Sequence, residues 1–187
     1  MRPRPASEQL VAAALDLIGD GHAHVVDVGT GSGALAIAIA SAAPQAVLWA
    51  TDTDGDAVAL ARANVRRHGL AHRITVCQGD LLEPVPSVVD LVVANLPYLP
   101  AAEAARFPDL AAEPADSVFA AGDGLKPYRR LLTVCAGRLS ANGAVVIQLH
   151  RRVLTATRVE LHRLRAEAEA VQRMTACSSE PQLLAAA

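Results

Sequence analysis

Residues 25–40 read VVDVGTGSGALAIAIA, and the fold turns on this stretch. His24 to Val28 form a short run rich in β-branched residues, the composition of a buried strand. Gly29, Gly31 and Gly33 follow at alternate positions, where a backbone must turn sharply and lie close to a ligand. From residue 33 to 42 the chain is small and apolar, which suits a buried helix that Pro44 closes off. Strand, glycine-rich turn and helix in that order make the first part of a βαβ unit.

The same alternation continues outward. Upstream, residues 7–18 read as a helix: Ser7 caps it, Glu8 sits in its first turn, and Leu10, Val11, Ala14, Leu15 and Ile18 make one apolar stripe. Gly19 and Gly21 end it. Downstream, Val47–Thr51 is a second strand, and Asp56–His68 a helix stopped by Gly69. Ile74–Cys77 and Val88–Ala94 are the third and fourth strands. The stretch from Leu96 to Asp123 carries Pro97, Pro100, Pro108 and Pro114 and reads as irregular; a loop of that length in a small domain is usually functional. A helix opened by Pro127 is expected to run to Asn142-Gly143. Ala144–Leu149 is a fifth strand, residues 153–168 a charged amphipathic helix, and 171–177 and 182–184 two short strands. The expected class is therefore α/β, with a mostly parallel sheet, helices on both faces, and short last strands. Ligands in such sheets bind beyond the carboxyl ends of the strands, near the switch in strand order.

Composition narrows the function. A chain of 187 residues is expected to form one domain over residues 1–187. Hydrophobic residues at 52% and charged residues at 19% exclude a disordered chain. No apolar run approaches the ~20 residues of a membrane span, and MRPRPASEQL has no apolar segment of a secretory signal. The net charge of −2 and 3% aromatic content argue against a surface built for nucleic acid. Cys77, Cys135 and Cys177 are widely spaced, which suggests reduced thiols in the cytoplasm. His22 and His24 flank the first strand without a third ligand, so no metal site is expected. Arg151, Arg152, Arg158, Arg163 and Arg165 alternate with acids and read as a solvated face.

Four strand ends carry the polar candidates. After the first come Asp27, Gly29, Thr30, Gly31, Ser32, Gly33 and Ala34. Gly29, Gly31 and Ala34 satisfy the G-x-G-x-x-A dinucleotide pattern, while Asp27 with the G-x-G-x-G spacing fits an S-adenosylmethionine loop equally well. After the second strand Asp52, followed by Thr53, can accept hydrogen bonds from the ribose hydroxyls of either cofactor; Asp54 is the better helix cap. After the third strand the Asp80 carboxylate, next to Leu81, can take the exocyclic amine of an adenine. After the fourth come Asn95, Leu96, Pro97 and Tyr98. A planar amide or aniline-type nitrogen is a poor nucleophile because its lone pair is delocalised. The Asn95 side-chain oxygen and the Leu96 carbonyl can grip its two N–H bonds and aim that lone pair, Pro97 fixes the turn, and Tyr98 offers a flat face. Alignment and fixed dipoles then supply the rate.

The blocks DVGTGSGALAIAIA, ATDTDGDAVALARANVRRHGL, GDLLEPV, VVANLPYLP and AGDGLKPYRRLL resemble, in this order, the catalytic domain of HemK/PrmC-type protein-(glutamine-N5) methyltransferases. The resemblance covers about residues 4–150, and Pro5–Leu10 resembles the family's lead into its first helix. It implies a Rossmann-like methyltransferase fold with a seven-stranded sheet and S-adenosylmethionine as cofactor. Carried over by position, the cofactor would be held by Asp27, Gly29, Thr30, Gly31, Ser32, Gly33, Asp52, Thr53, Asp80, Leu81 and Asn95. The catalytic set would be Asn95, Leu96, Pro97 and Tyr98. The implied partner is a peptide-chain release factor, whose Gly-Gly-Gln glutamine accepts the methyl group. The small helical domain that bacterial members carry ahead of this one has no counterpart in the reading. The family turn is usually N-P-P-Y; N-L-P-Y also occurs in ribosomal-RNA adenine dimethyltransferases. N6-adenine or N4-cytosine methylation of RNA or DNA is therefore the alternative activity, and a non-catalytic cofactor-binding partner subunit a third reading.

Overall fold

A computed structural model of the chain describes residues 5–86, 88–97, 99–100, 119–120, 122–149, 173–178 and 183–186. Helix α1 (Pro5–Ile18) leads into β1 (Ala23–Val28), α2 (Ala34–Ala42), β2 (Ala46–Asp52), α3 (Gly55–Arg67), β3 (Ile74–Gln78) and β4 (Val89–Ala94). Two short strands, β5 (Leu99–Pro100) and β6 (Phe119–Ala120), pair in parallel apart from the main sheet. Helix α4 (Lys126–Cys135), β7 (Leu139–Leu149), β8 (Arg173–Ser178) and β9 (Leu183–Ala186) complete the described elements. The helix expected at 153–168 lies outside the described residues, as do residues 101–118.

The main sheet has the order β3-β2-β1-β4-β7-β8-β9, with every neighbouring pair parallel except β8 with β9. From β1 the chain winds outward through β2 and β3 on one side, then returns to place β4 on the other. The border of β1 and β4 is thus the switch point, where two successive crossover loops part and leave a crevice. This is the expected α/β class, and both late strands exist.

Each face of the sheet buries its own apolar cluster. One packs Leu10, Ala14, Val25, Ile39, Leu48, Val58, Val65, Val93 and Val146 under α1, α2 and α3. The other packs Val26, Val28, Leu82, Val92, Leu131, Val145 and Ile147 with Tyr128 of α4. The split follows the two-residue period of a strand: in β1, Val25 faces one way and Val26 and Val28 the other. A parallel strand covered on both faces needs apolar residues at nearly every position, which is why β1 and β4 read as continuous valine-rich runs.

Local signals set most helix ends. Asp54 caps α3 by accepting from the Asp56 N–H at 2.9 Å, and Gly69 takes the left-handed conformation beyond its last turn. Helix α4 departs from expectation. It ends at Cys135, and Leu139 already pairs with Val89 in β7. Leu139 lies opposite Val89 and Ala144 opposite Leu91, so Ser140–Gly143 bulge out of register. A Cβ on Gly143 would stand 2.8 Å from that of Leu139. Asn142-Gly143 therefore marks a bulge inside a strand, because the same backbone freedom serves a helix stop and a bulge.

Strand β2 offers a test of this packing. Leu48 is fully buried at its centre, whereas its neighbour Val47 is 40% exposed. Leu48→Ala is expected to lower stability by about 2–5 kcal/mol, and Val47→Ala by less than about 1 kcal/mol, both read from urea unfolding midpoints.

Candidate active site

The loop after β1 is held by carboxylates from below and beside it. The Gly29 and Thr30 amides both donate to the Thr51 carbonyl, at 2.8 and 3.0 Å, leaning the loop onto β2. Asp27, 1% exposed, takes two bonds on one oxygen: from the Thr30 hydroxyl at 2.6 Å and from the Ala36 N–H at 3.1 Å. Gly33, the N-cap of α2, has no side chain to cap the helix. Asp27 does so from the strand, placing a carboxylate where the helix dipole favours one. Its burial pushes its carboxyl pKa up to about 6 against the pull of these two bonds, and the nearby Asp52 charge adds a little.

Asp52 occupies the next strand end. Its two oxygens accept from the Gly31 N–H at 2.8 Å and the Asp54 N–H at 3.0 Å. The residue predicted to meet a ribose therefore also braces the glycine loop. Each oxygen keeps a further acceptor site for a hydroxyl. Gly31 has φ +55, and nothing lies within 4 Å of where its Cβ would stand, so the loop opens onto free space there. Gly29, at φ +70, is different: a Cβ would lie 2.6 Å from Leu96 Cδ2. The side chain of Leu96 rests on the glycine loop itself. Ser32 offers its carbonyl to Asn64 Nδ2 at 2.8 Å, and Thr53 its carbonyl to Gln78 Nε2 at 3.2 Å; neither bond uses the hydroxyl.

After β3, Leu81 is the one non-glycine residue with positive φ among the described residues, and its carbonyl accepts from the Thr51 hydroxyl at 2.8 Å. Asp80 pairs with the Arg130 guanidinium of α4. The acid predicted to take an adenine amine thus has a cationic neighbour that sequence spacing did not reveal. Both side chains are partly exposed, so this pair is worth less than about 1 kcal/mol and leaves the carboxylate reachable.

After β4, Asn95 is exposed, Leu96 is buried and Pro97 is half-buried. Tyr98 lies outside the described residues. Sequence reasoning missed Tyr128, which is 1% exposed in α4. The Leu96 N–H donates to its hydroxyl at 3.1 Å, and that hydroxyl lies 2.8 Å from the Leu96 carbonyl oxygen and 2.7 Å from that of Gln148. The signal available was a tyrosine on the apolar side of the AGDGLKPYRRLL block. His22 and His24 sit at the opposite end of the sheet. There His22 Nδ1 lies 3.3 Å from the Gln45 carbonyl and His24 meets the Trp49 ring edge-on. Among the described residues no helix is long and apolar enough to cross a membrane.

The methyltransferase small domain model matches residues 6–150. Among curated proteins, the release factor glutamine methyltransferase of Gloeobacter violaceus is 38% identical over 151 residues, covering 79% of this chain and 53% of that protein. The ribosomal protein uL3 glutamine methyltransferase of Bordetella pertussis is 39% identical over 106 residues, covering 55% of this chain and 36% of that protein. The chain thus spans about half, or less, of these relatives. Among solved structures, the ribosomal protein L11 methylase of Lactobacillus delbrueckii subsp. bulgaricus superposes with a TM-score of 0.63 at 21% identity. The match covers 89% of this chain and 70% of that one, and it is a likeness of fold.

Asp27 makes the site measurable by pH. Its carboxyl titrates near 6 when folded and near 3.9 when unfolded. Between those values the folded chain holds a proton that the unfolded chain has lost, so stability rises as pH falls from 6 toward 4. The rise expected is about 1–3 kcal/mol. Asp27→Asn should remove this part of the slope in unfolding measurements across that range; an unchanged slope would show that Asp27 titrates normally.

Proposed function

The chain belongs to the methyltransferase small domain family, and on that premise we propose that it transfers a methyl group from S-adenosylmethionine to the side-chain amide nitrogen of a protein glutamine. The observation that carries this reading is the contact of Leu96 with Gly29. It joins the turn suited to a planar nitrogen to the loop suited to the cofactor, so donor and acceptor sites share a wall.

The residues fit the cofactor on three counts. The space before Gly31 is open, the Asp52 oxygens retain acceptor sites beside it, and Asp80 and Leu81 stand at the next strand end. S-adenosylmethionine supplies an electrophilic methyl carbon with a neutral thioether as leaving group. The protein's part is alignment. The Asn95 side-chain oxygen and the Leu96 carbonyl accept the two N–H bonds of the amide and turn its lone pair out of the plane. As the N–C bond forms and the C–S bond breaks, positive charge grows on nitrogen, which the dipoles of both oxygens favour. The proton then leaves to solvent. No protein nucleophile is needed.

Glutamine as acceptor is supported by the relatives, whose names specify glutamine in a release factor or in ribosomal protein uL3. The two protein targets differ while the amide is common, so we assign the amide first and a release-factor Gly-Gly-Gln loop as the leading partner. The net charge of −2 gives little hold on a polyanion, whose binding relies on many cationic contacts. Cys77 and Cys135 are free thiols, which supports the cytoplasm as the compartment. One main sheet joins seven of the nine described strands, which supports a single catalytic unit.

Two variants separate binding from chemistry. Asp52→Ala should weaken S-adenosylmethionine binding by about 1–3 kcal/mol in calorimetry. Asn95→Ala should keep the fold and lower turnover by about a hundredfold or more. The acceptor is tested by tritiated methyl transfer to release factor, to ribosomal protein and to total RNA in parallel. Label confined to ribonuclease-sensitive material would replace glutamine with a nucleobase, and no label in any of them would leave a cofactor-binding subunit.

A further inference from the structure

We propose that Tyr128 is a positioning residue for methyl transfer, its buried hydroxyl holding the Leu96 carbonyl in place to receive a substrate N–H. This rests on the reading of Asn95 and Leu96 as acceptors for a planar nitrogen. Strands β4 and β7 pair up to Ala94 opposite Ile147. Just beyond, at Leu96 and Gln148, the phenol stands between the two chains. It accepts from the Leu96 N–H at 3.1 Å and approaches the Leu96 and Gln148 carbonyl oxygens at 2.8 and 2.7 Å.

A phenol has one proton to give, and among the described residues the Leu96 and Gln148 carbonyls face it. Rotation about a single C–O bond moves that proton from Leu96 to Gln148 while every heavy atom stays put. The Leu96 oxygen is thereby held by the resting enzyme and freed as the substrate N–H arrives. A phenylalanine would fill the same apolar pocket, made by residues such as Leu131 and Ile147; only the hydroxyl spans the gap, and a buried hydroxyl is costly unless bonded. With its side chain against Gly29 and its main chain against Tyr128, Leu96 is gripped from two directions. Such preorganisation acts on turnover and leaves cofactor binding alone.

The test compares Tyr128→Phe, which removes the hydroxyl, with Leu131→Ala, which opens a cavity in the same apolar cluster and keeps the hydroxyl. In Tyr128→Phe, hydrogen exchange at the Leu96 amide should rise at least tenfold while that of Val92 stays unchanged. With whichever acceptor the native chain labels, kcat should fall at least tenfold, and the Kd for S-adenosylmethionine should stay within twofold. Leu131→Ala should lower the Tm further yet keep kcat within threefold. The proposal is overturned by native Leu96 exchange in Tyr128→Phe, by native kcat, or by an equal kcat loss in Leu131→Ala. Label on a nucleobase would refute glutamine alone, since the same grip suits any planar NH2. If the native chain labels no acceptor, methyl transfer itself is refuted and the positioning role falls with it.

Discussion

The carboxylate of Asp27 is the point on which the site hangs. It lies at the end of the central strand, almost wholly out of water, and one of its oxygens holds both the second residue of the glycine loop and the first turn of α2. Strand end, loop and helix start are thereby drawn to one atom. Burial makes this carboxylate hard to ionise, and the bonds from Thr30 and Ala36 favour its charged form. The folded chain therefore holds this proton at a higher pH than the unfolded chain does.

A second carboxylate extends the bracing sideways. Asp52 reaches from β2 to the Gly31 amide and to the start of the next loop, so the residue best placed for a ribose also shapes the surface on which the cofactor would lie. Losing it would free the Gly31 and Asp54 amides and loosen the loop. Asp80 is likewise shared, since Arg130 reaches it from the helix on the other face of the sheet. On the proposed reading the same oxygens would serve both the cofactor and the architecture, so a substitution at either acid would disturb the loops as well.

The acceptor turn depends on parts of the fold that lie far off in the chain. The Leu96 side chain rests on Gly29, and its amide donates to a tyrosine in α4. Where the resembled family turn usually has proline, leucine keeps the same main-chain carbonyl that the proposed mechanism uses. It also adds an apolar side chain that seals the turn against the glycine loop. The glycine loop and the turn after β4 thus form one packed unit at the switch point, where a parallel sheet leaves room for a ligand.

Much of this was legible in the sequence, for a local reason. Valine-rich runs covered on both faces, positive-φ positions that favour glycine, and Asp54 one step before a helix act over a few residues, so periodicity and spacing report them directly. The strand alternation likewise implied a parallel sheet with its ligand end at the glycine loop. What only the tertiary structure decided involves partners distant in sequence. Asn142-Gly143 carries the same local signal whether it stops a helix or bulges a strand, and the pairing of Leu139 with Val89 settles which. Tyr128 reads as one more apolar helix position until Leu96 and Gln148 are brought against its hydroxyl. Asp80 reads as an acid for an adenine amine with no cation beside it until α4 presents Arg130 to it. In each case the local residues allow several partners, and the packing of the two faces selects one.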